Sequence, residues 1–192
     1  MTRGLTIGVL GAAGVAAVGT APIPTPIGVG PLFHPGASSS AVARGLPVGR
    51  LRCTSAERPR SGVHLEVFAH RRVVIVPAGI GVAPPIRRNG VYVLSGRCTY
   101  PARTREPTGV IELDGTIQMT LGDFFAVWGR PLSARRLLGF RAASGDRVRA
   151  YVNGRSWRAD LRAIPLRRHD EIVLEVGPLI PPHPSYRFPK GL

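Results

Sequence analysis

The chain has 192 residues, of which 44% are hydrophobic and 19% are charged, and its formal net charge is +15. This length and hydrophobic content suit one compact domain with a modest core. The 24 glycines and 19 prolines together exceed a fifth of the chain, which excludes a predominantly helical protein and favours turns and short elements.

The positive charge comes almost entirely from arginine, since Lys190 is the only lysine. A bias toward arginine, alanine, glycine and proline is typical of GC-rich coding DNA, so we interpret the charge first as compositional drift, with a polyanion-binding surface as the alternative. The arginines are scattered from Arg44 to Arg187, and no RNA-binding or helix-turn-helix signature occurs. We therefore expect no specific nucleic-acid partner.

Residues 1–20 have the layout of a secretory signal peptide. Arg3 precedes an apolar run from Leu5 to Val18, and the small residues that follow offer a cleavage site. The run is shorter than the ~20 residues that a spanning helix needs, and an uncleaved N-terminal anchor is the alternative. We predict a secreted or cell-envelope protein that meets a membrane only through an uncleaved N-terminus. Its polyanion partners would then be anionic cell-envelope polymers or lipids.

Residues 21–50 are rich in proline, glycine and serine and sustain no apolar period, which predicts a flexible linker. A single domain is expected from Leu51 to the C-terminus at residue 192, with a proline-rich tail. In an exported chain the even pair Cys53 and Cys98 favours a disulfide, which would stabilise the fold by about 4 kcal/mol. In the cytosol both would be buried thiols.

The domain opens with a predicted β-hairpin. Val63, Leu65 and Val67 alternate with other residues, the chain turns near His70-Arg71, and an apolar run resumes at 73–76. Residues 78–90 predict a loop. Short strands are expected at 91–94 and 109–113.

The clearest predicted helix lies in the stretch TLGDFFAVWGRP. Thr120 is placed as the N-cap with Asp123 in capping-box spacing, and Gly129 and Pro131 mark the end. One apolar face is expected in the core and consists of Leu121, Phe124, Phe125 and Trp128.

The last elements are a second hairpin and a final strand. Asn153-Gly154 is a strong two-residue turn signal, and residues 170–177 alternate with Ile172, Leu174 and Val176 on one face. The tail is expected to cross the surface through Tyr186 and Phe188. The order predicts an α+β fold in which a small mixed or antiparallel sheet carries one packed helix, in a β-grasp-like arrangement.

Five blocks of the chain resemble those of exported, uncharacterised actinobacterial proteins. The blocks are VHLEVF…VVIVPAGIGV, CTYP…TGVIELDG, MTLGDFFAVWGRPL, VRAYVNGRSW and IPLRRHDEIVLEVGP, in order between Cys53 and Leu192. The resemblance implies strand histidines in H-x-H-x-H-L, H-T-H-D and G-V-I-H motifs, which would suit a transition metal. The positions here are Arg60, Gly62, His64, Arg103, Arg105 and Glu112.

Only His64 keeps the imidazole that the resemblance implies. A guanidinium has no free lone pair and stays charged, so Arg103 and Arg105 cannot ligate a cation. We therefore expect no metal and no cofactor; a retained metal site would use His64 and Glu112. Arg103, Arg105 and Arg60 become candidates for binding an anion. The alternative is that Arg103 and Arg105 are solvated or paired with Glu106, Glu112 or Asp114.

No catalytic motif is present: neither a G-x-S-x-G elbow nor a P-loop, H-E-x-x-H or C-x-x-C sequence occurs. The sequence thus predicts an exported, non-catalytic binding or accessory domain that recognises anionic groups through arginines. The alternative is an exported copper- or zinc-binding protein with a degenerate site. An unrecognised hydrolase is the weaker alternative.

Overall fold

The computed structural model describes residues 29–55, 59–115 and 117–192, and the side chains of residues 59 and 60 are outside that description. The predicted signal peptide and the first part of the predicted linker therefore lie outside the described residues. Within the described part, no helix is long and apolar enough to cross a membrane.

The elements are short and mostly strands. In chain order they are α1 (Ser40–Arg44), β1 (Pro59–Ala69), β2 (Arg72–Val73), β3 (Val82–Ala83), β4 (Arg87–Asn89), β5 (Tyr92–Ser95), β6 (Cys98–Thr99), β7 (Ala102–Arg103), β8 (Val110–Asp114), α2 (Leu121–Trp128), β9 (Leu132–Ser133), β10 (Arg136–Leu137), β11 (Phe140–Arg141), β12 (Arg149–Val152), β13 (Arg155–Trp157), a 3-10 turn (Leu161–Ala163) and β14 (Glu171–Val176).

One mixed sheet organises the domain. Its strand order is β13-β12-β14-β1-β8-β7, and β2 also pairs with β1. The central pair β1 and β14 is parallel, with His64 opposite Glu171, whereas β8 and β12 run antiparallel to their central neighbours. Strands β1 and β14, which are far apart in the sequence, therefore lie side by side at the centre of the sheet.

The helix α2 covers one face of this sheet. Thr120 and Asp123 form the reciprocal capping box, and Gly129 ends the helix in the left-handed region at φ 70°. The apolar side chains of α2 and of the inner sheet face form one core, which includes Phe124, Trp128, Leu65, Ile111 and Leu174. The predicted helix, its caps and its buried face are confirmed.

The α+β class is confirmed, and the strand order agrees with the β-grasp-like arrangement. In chain order, β1 and β8 form an antiparallel pair, α2 crosses the sheet, β12 and β13 form a hairpin, and β14 returns parallel to β1. Both predicted hairpins are present, with His70 and Arg71 at positive φ in one turn and Asn153 and Gly154 in the other.

The packed domain begins earlier than the boundary predicted near Leu51. Within the predicted linker, Ser39 caps α1, Val42 is completely buried, and the carbonyl of Gly36 accepts a hydrogen bond of 2.8 Å from the indole of Trp128. The loop predicted at 78–90 also contains two short strands, β3 and β4. Long-range packing, rather than local periodicity, orders these segments.

Cys53 and Cys98 form the predicted disulfide. Their Cα atoms lie 5.4 Å apart, and the bridge closes a sequence separation of 45 residues. It ties the segment before β1 to β6, beside backbone hydrogen bonds between Thr54 and Thr99.

Candidate functional site

The face of the large sheet opposite α2 is unusually polar. On β1, β8 and β14 the side chains on this face alternate with the core residues, and the strand register brings them into rows. We call this surface the polar face; its charged members are His64, Glu66, Arg103, Glu112, Asp114, Glu171 and Glu175.

Arg103 lies completely buried at one edge of the polar face. Its Nε donates to Glu112 Oε2 at 3.1 Å, and its Nη1 donates to Asp114 Oδ1 at 3.0 Å and to the Tyr100 carbonyl at 3.3 Å. The register explains the contact, because Arg103 on β7 is directly opposite Glu112 on β8. Arg103 is therefore a structural cation held by two carboxylates.

Arg105 shares the same carboxylate. Its Nε donates to Glu112 Oε2 at 3.1 Å, and its Nη1 donates to the carbonyls of Val93 and Leu94 at 2.9 and 2.7 Å. Thr104 between the two arginines is buried and accepts from the Ile80 amide while its hydroxyl donates to Pro77. Arg103 and Arg105 thus belong to one ion-pair network around Glu112, whereas Thr104 between them bonds to the segment at residues 77–80.

These contacts correct the predicted anion site. Arg103 has no exposed surface and Arg105 is 7% exposed, so neither presents a free guanidinium to an external anion. Of the partners considered from the sequence, Glu112 binds both arginines and Asp114 binds Arg103. Arg60 lies on β1, but its side chain is outside the described residues.

The metal-ligand pair considered from the sequence, His64 with Glu112, is also revised. Glu112 is occupied by two arginines, whereas His64 contacts Glu171, its neighbour across β1 and β14. Among the described residues, the group able to hold a metal ion is His64, Glu66 and Glu171, with one ligand atom from each lying within 4.8 Å of the others. Burial raises the pKa of Glu171, and its hydrogen bond to His64 acts in the opposite direction.

The C-terminal tail, residues 178–192, covers much of the polar face. The ring of Tyr186 stacks on the imidazole of His64 with centroids 3.6 Å apart, and Phe188 stacks on His169. A Cβ at Gly62 would lie 3.3 Å from both Phe188 and Leu192. A side chain at position 62 would therefore require Phe188 and Leu192 of the tail to move.

A second polar feature lies at the other end of the sheet, in a groove of about 560 Å³. It lies between the start of β12 and the end of β13, and we call it the arginine groove. Its lining includes Arg147, Arg149, Ser156, Trp157, Arg158 and Asp160.

Two of the three groove arginines are exposed and available. The side chains of Arg147 and Arg158 have no hydrogen-bond or ion-pair partner in the part of the chain that the structure describes. Arg149 is committed, because its Nε contacts Glu175 Oε2 at 3.4 Å, its Nη1 contacts Asp146 at 3.5 Å, and its Nη2 donates to the Gly177 carbonyl. The one carboxylate in the lining, Asp160, accepts from the Arg162 amide at 3.0 Å.

Trp157 gives the groove an aromatic wall. The indole is partly buried against the core, and its Nε1 donates to the Asp160 carbonyl at 3.1 Å, which fixes the ring. The Asn153-Gly154 turn sets the register that places Trp157 opposite Ala150. Sequence reasoning identified this hairpin but not the groove, because nothing local indicates that Arg147 and Arg158 line one concavity.

Comparison with known proteins finds no matching family model, no matching curated protein and no matching solved structure.

Proposed function

We propose that this chain is an exported, non-catalytic domain that binds a phosphate-bearing polymer in the arginine groove. The observation that carries the proposal is that Arg147 and Arg158 bring two exposed guanidinium groups into one concavity, where neither has a partner among the described residues. Guanidinium forms bidentate, charge-assisted hydrogen bonds with phosphate, and these are among the stronger polar contacts available to a protein surface.

The shape of the groove favours a chain-like ligand. A concave site of about 560 Å³ can enclose several units of a polymer, whereas a bilayer offers a flat array of headgroups. The half-buried Trp157 ring adds an apolar wall, and Ser156 adds a hydroxyl donor beside the two arginines. The groove thus offers more than a diffuse positive surface.

The high net charge supports the same proposal. A formal charge of +15 draws any polyanion toward the molecule, and the groove supplies the place where contacts become specific. Attraction of this kind between exposed charges is screened within about 8 Å at physiological ionic strength. Binding is therefore expected to weaken steeply as salt is added.

The test measures binding of inorganic polyphosphate to the mature domain by calorimetry at low and high salt. We expect saturable binding that Arg147→Ala with Arg158→Ala weakens at least tenfold, which corresponds to about 1.4 kcal/mol. The matched control is Arg87→Ala with Arg88→Ala, which removes two exposed arginines from the β4–β5 hairpin and the same net charge.

An equal loss of affinity in the groove variant and in the hairpin control would show that net charge alone drives binding and would overturn the proposal. Vesicles of phosphatidylglycerol serve as the second ligand. If the protein bound the vesicles more tightly than polyphosphate, and the hairpin variant rather than the groove variant lost vesicle binding, the positive surface would belong to a lipid partner. That result would also reject the groove.

A further inference from the structure

His64, Glu66 and Glu171 converge on the polar face, away from the arginine groove. His64 and Glu66 are two residues apart on β1 and so point to the same face, while Glu171 is the register partner of His64 on β14. One nitrogen or oxygen ligand atom from each lies within 4.8 Å of the other two. A central pair of parallel strands therefore fixes the backbone positions of all three.

The hydrogen bonds of His64 place its Nδ1 next to the carboxylate of Glu171. Its Nε2 lies 2.8 Å from the Thr108 carbonyl, which can only accept, so Nε2 carries a hydrogen. In the neutral ring Nδ1 then presents a lone pair to Glu171 Oε2 at 2.7 Å. Two such atoms approach this closely only when a cation lies between them or beside both, either a proton or a metal ion.

Glu171 has unused coordination capacity. The residue is 1% exposed, and its Oε1 has no hydrogen-bond partner among the described residues. Buried carboxylate oxygens are nearly always satisfied, so an orphaned one on a carboxylate whose other oxygen contacts an imidazole points to a cation ligand. This observation is independent of the clustering of the three residues.

We propose that His64, Glu66 and Glu171 bind a divalent transition-metal ion, with zinc as the best match to one imidazole and two carboxylates. His64 would ligate through Nδ1, while its Nε2–H donates to Thr108 and fixes the ring, as outer hydrogen bonds commonly do for metal-bound histidines. Tetrahedral zinc places its ligand atoms about 3.3 Å apart, so the present cluster needs only small side-chain movements.

His183 supplies the fourth ligand from the tail. Its Nδ1 lies 2.9 Å from Glu66 Oε2, the side chain is largely exposed, and a turn of the imidazole would bring a nitrogen to the metal. Tyr186 from the same tail stacks on the His64 ring. The metal would thereby fasten the tail to the sheet.

The nearby arginines do not oppose this site. Two positive charges near a site would repel a cation, but Arg103 and Arg105 are compensated by Glu112 and Asp114 within their own network.

Calorimetric titration of the chelator-stripped mature protein with zinc chloride tests the proposal. We expect one zinc ion per chain, with affinity at least tenfold weaker in Glu66→Gln and in His183→Ala. Both variants alter side chains that reach solvent, so the fold should persist. His34→Ala is the control for adventitious binding to an exposed histidine, and its affinity should equal that of the unaltered protein.

Absence of zinc binding, or unchanged affinity in both Glu66→Gln and His183→Ala, would overturn the assignment. His64→Gln with a native circular dichroism spectrum should abolish binding, and retained binding in that folded variant would also contradict it. The groove variant Arg147→Ala with Arg158→Ala is expected to bind zinc normally, which separates this site from polymer binding.

Discussion

Arg103 and Glu112 face each other across β7 and β8, with 3.1 Å between Nε and Oε2, and the arginine side chain has no exposed surface. A buried guanidinium is tolerated only because Glu112 and Asp114 compensate its charge. Arg103, one of the arginines predicted to bind an external anion, is thus part of the internal structure.

Replacing Arg103 by Met should lower the free energy of unfolding by about 3–5 kcal/mol, since it leaves the buried Asp114 without its cation and Glu112 with Arg105 alone. Urea unfolding measures the loss. Arg136→Met on the exposed side of β10 is the matched control and should change stability by less than about 0.5 kcal/mol.

Neutralising Asp114 should rescue the Arg103 variant. Adding Asp114→Asn to Arg103→Met removes the uncompensated carboxylate while Glu112 stays paired with Arg105, so much of the lost stability should return. A double variant no more stable than Arg103→Met would contradict the charge argument and point to lost packing of the side chain.

Removing the disulfide should cost about 4 kcal/mol, because the bridge closes a 45-residue separation and restricts the unfolded chain. The comparison is between the unaltered protein and Cys53→Ala with Cys98→Ala in urea. A difference below about 1 kcal/mol would mean that the unfolded chain is already restrained in this region.

Glu175 predicts a specific pH dependence of stability. Burial raises its pKa, against the lowering effects of a backbone hydrogen bond at Ile180 and of Arg149. The folded state therefore binds the proton of the Glu175 carboxyl more tightly than the unfolded state does. The contribution of Glu175 to stability is fully present below about pH 4.5 and is lost as the pH rises through the raised pKa. In chelator-containing buffer, Glu175→Gln should gain stability relative to the unaltered protein over that rise. A difference that does not change with pH would contradict the assignment.

Tyr186 should anchor the tail to His64. The stacked pair, with ring centroids 3.6 Å apart, is expected to contribute about 1 kcal/mol, so Tyr186→Ala should lose that amount and speed amide exchange in residues 178–192. Tyr186→Phe keeps the ring and should behave like the unaltered protein. Equal destabilisation by both substitutions would assign the effect to the hydroxyl rather than to stacking.

The parts of the fold that sequence reasoning predicted are those with local causes. Thr120, Asp123 and Gly129 define α2 through contacts within a few residues, and Asn153-Gly154 dictates its hairpin. The segment 40–44 was missed because its one buried side chain, Val42, packs through distant contacts that no local period reveals.

The candidate sites depend on register and on the tail, which the sequence pattern does not specify. The alternation of Ile172, Leu174 and Val176 identified the core face of β14, but it carries no information about the burial of Glu171 and Glu175 on the other face. Both are buried beneath neighbouring strands and the C-terminal tail. Likewise, Glu112 could be named as a partner of Arg103, yet only the pairing of β7 with β8 selects it over Glu106.

The two tryptophans provide the most direct test of polymer binding. Trp157 walls the arginine groove, whereas Trp128 is buried in the core and donates to the Gly36 carbonyl. In a nitrogen-15 correlation spectrum at low salt, polyphosphate should shift the Trp157 indole N–H signal saturably and leave the Trp128 signal unchanged. An unmoved Trp157 signal, or equal shifts of both indoles, would contradict binding in the groove.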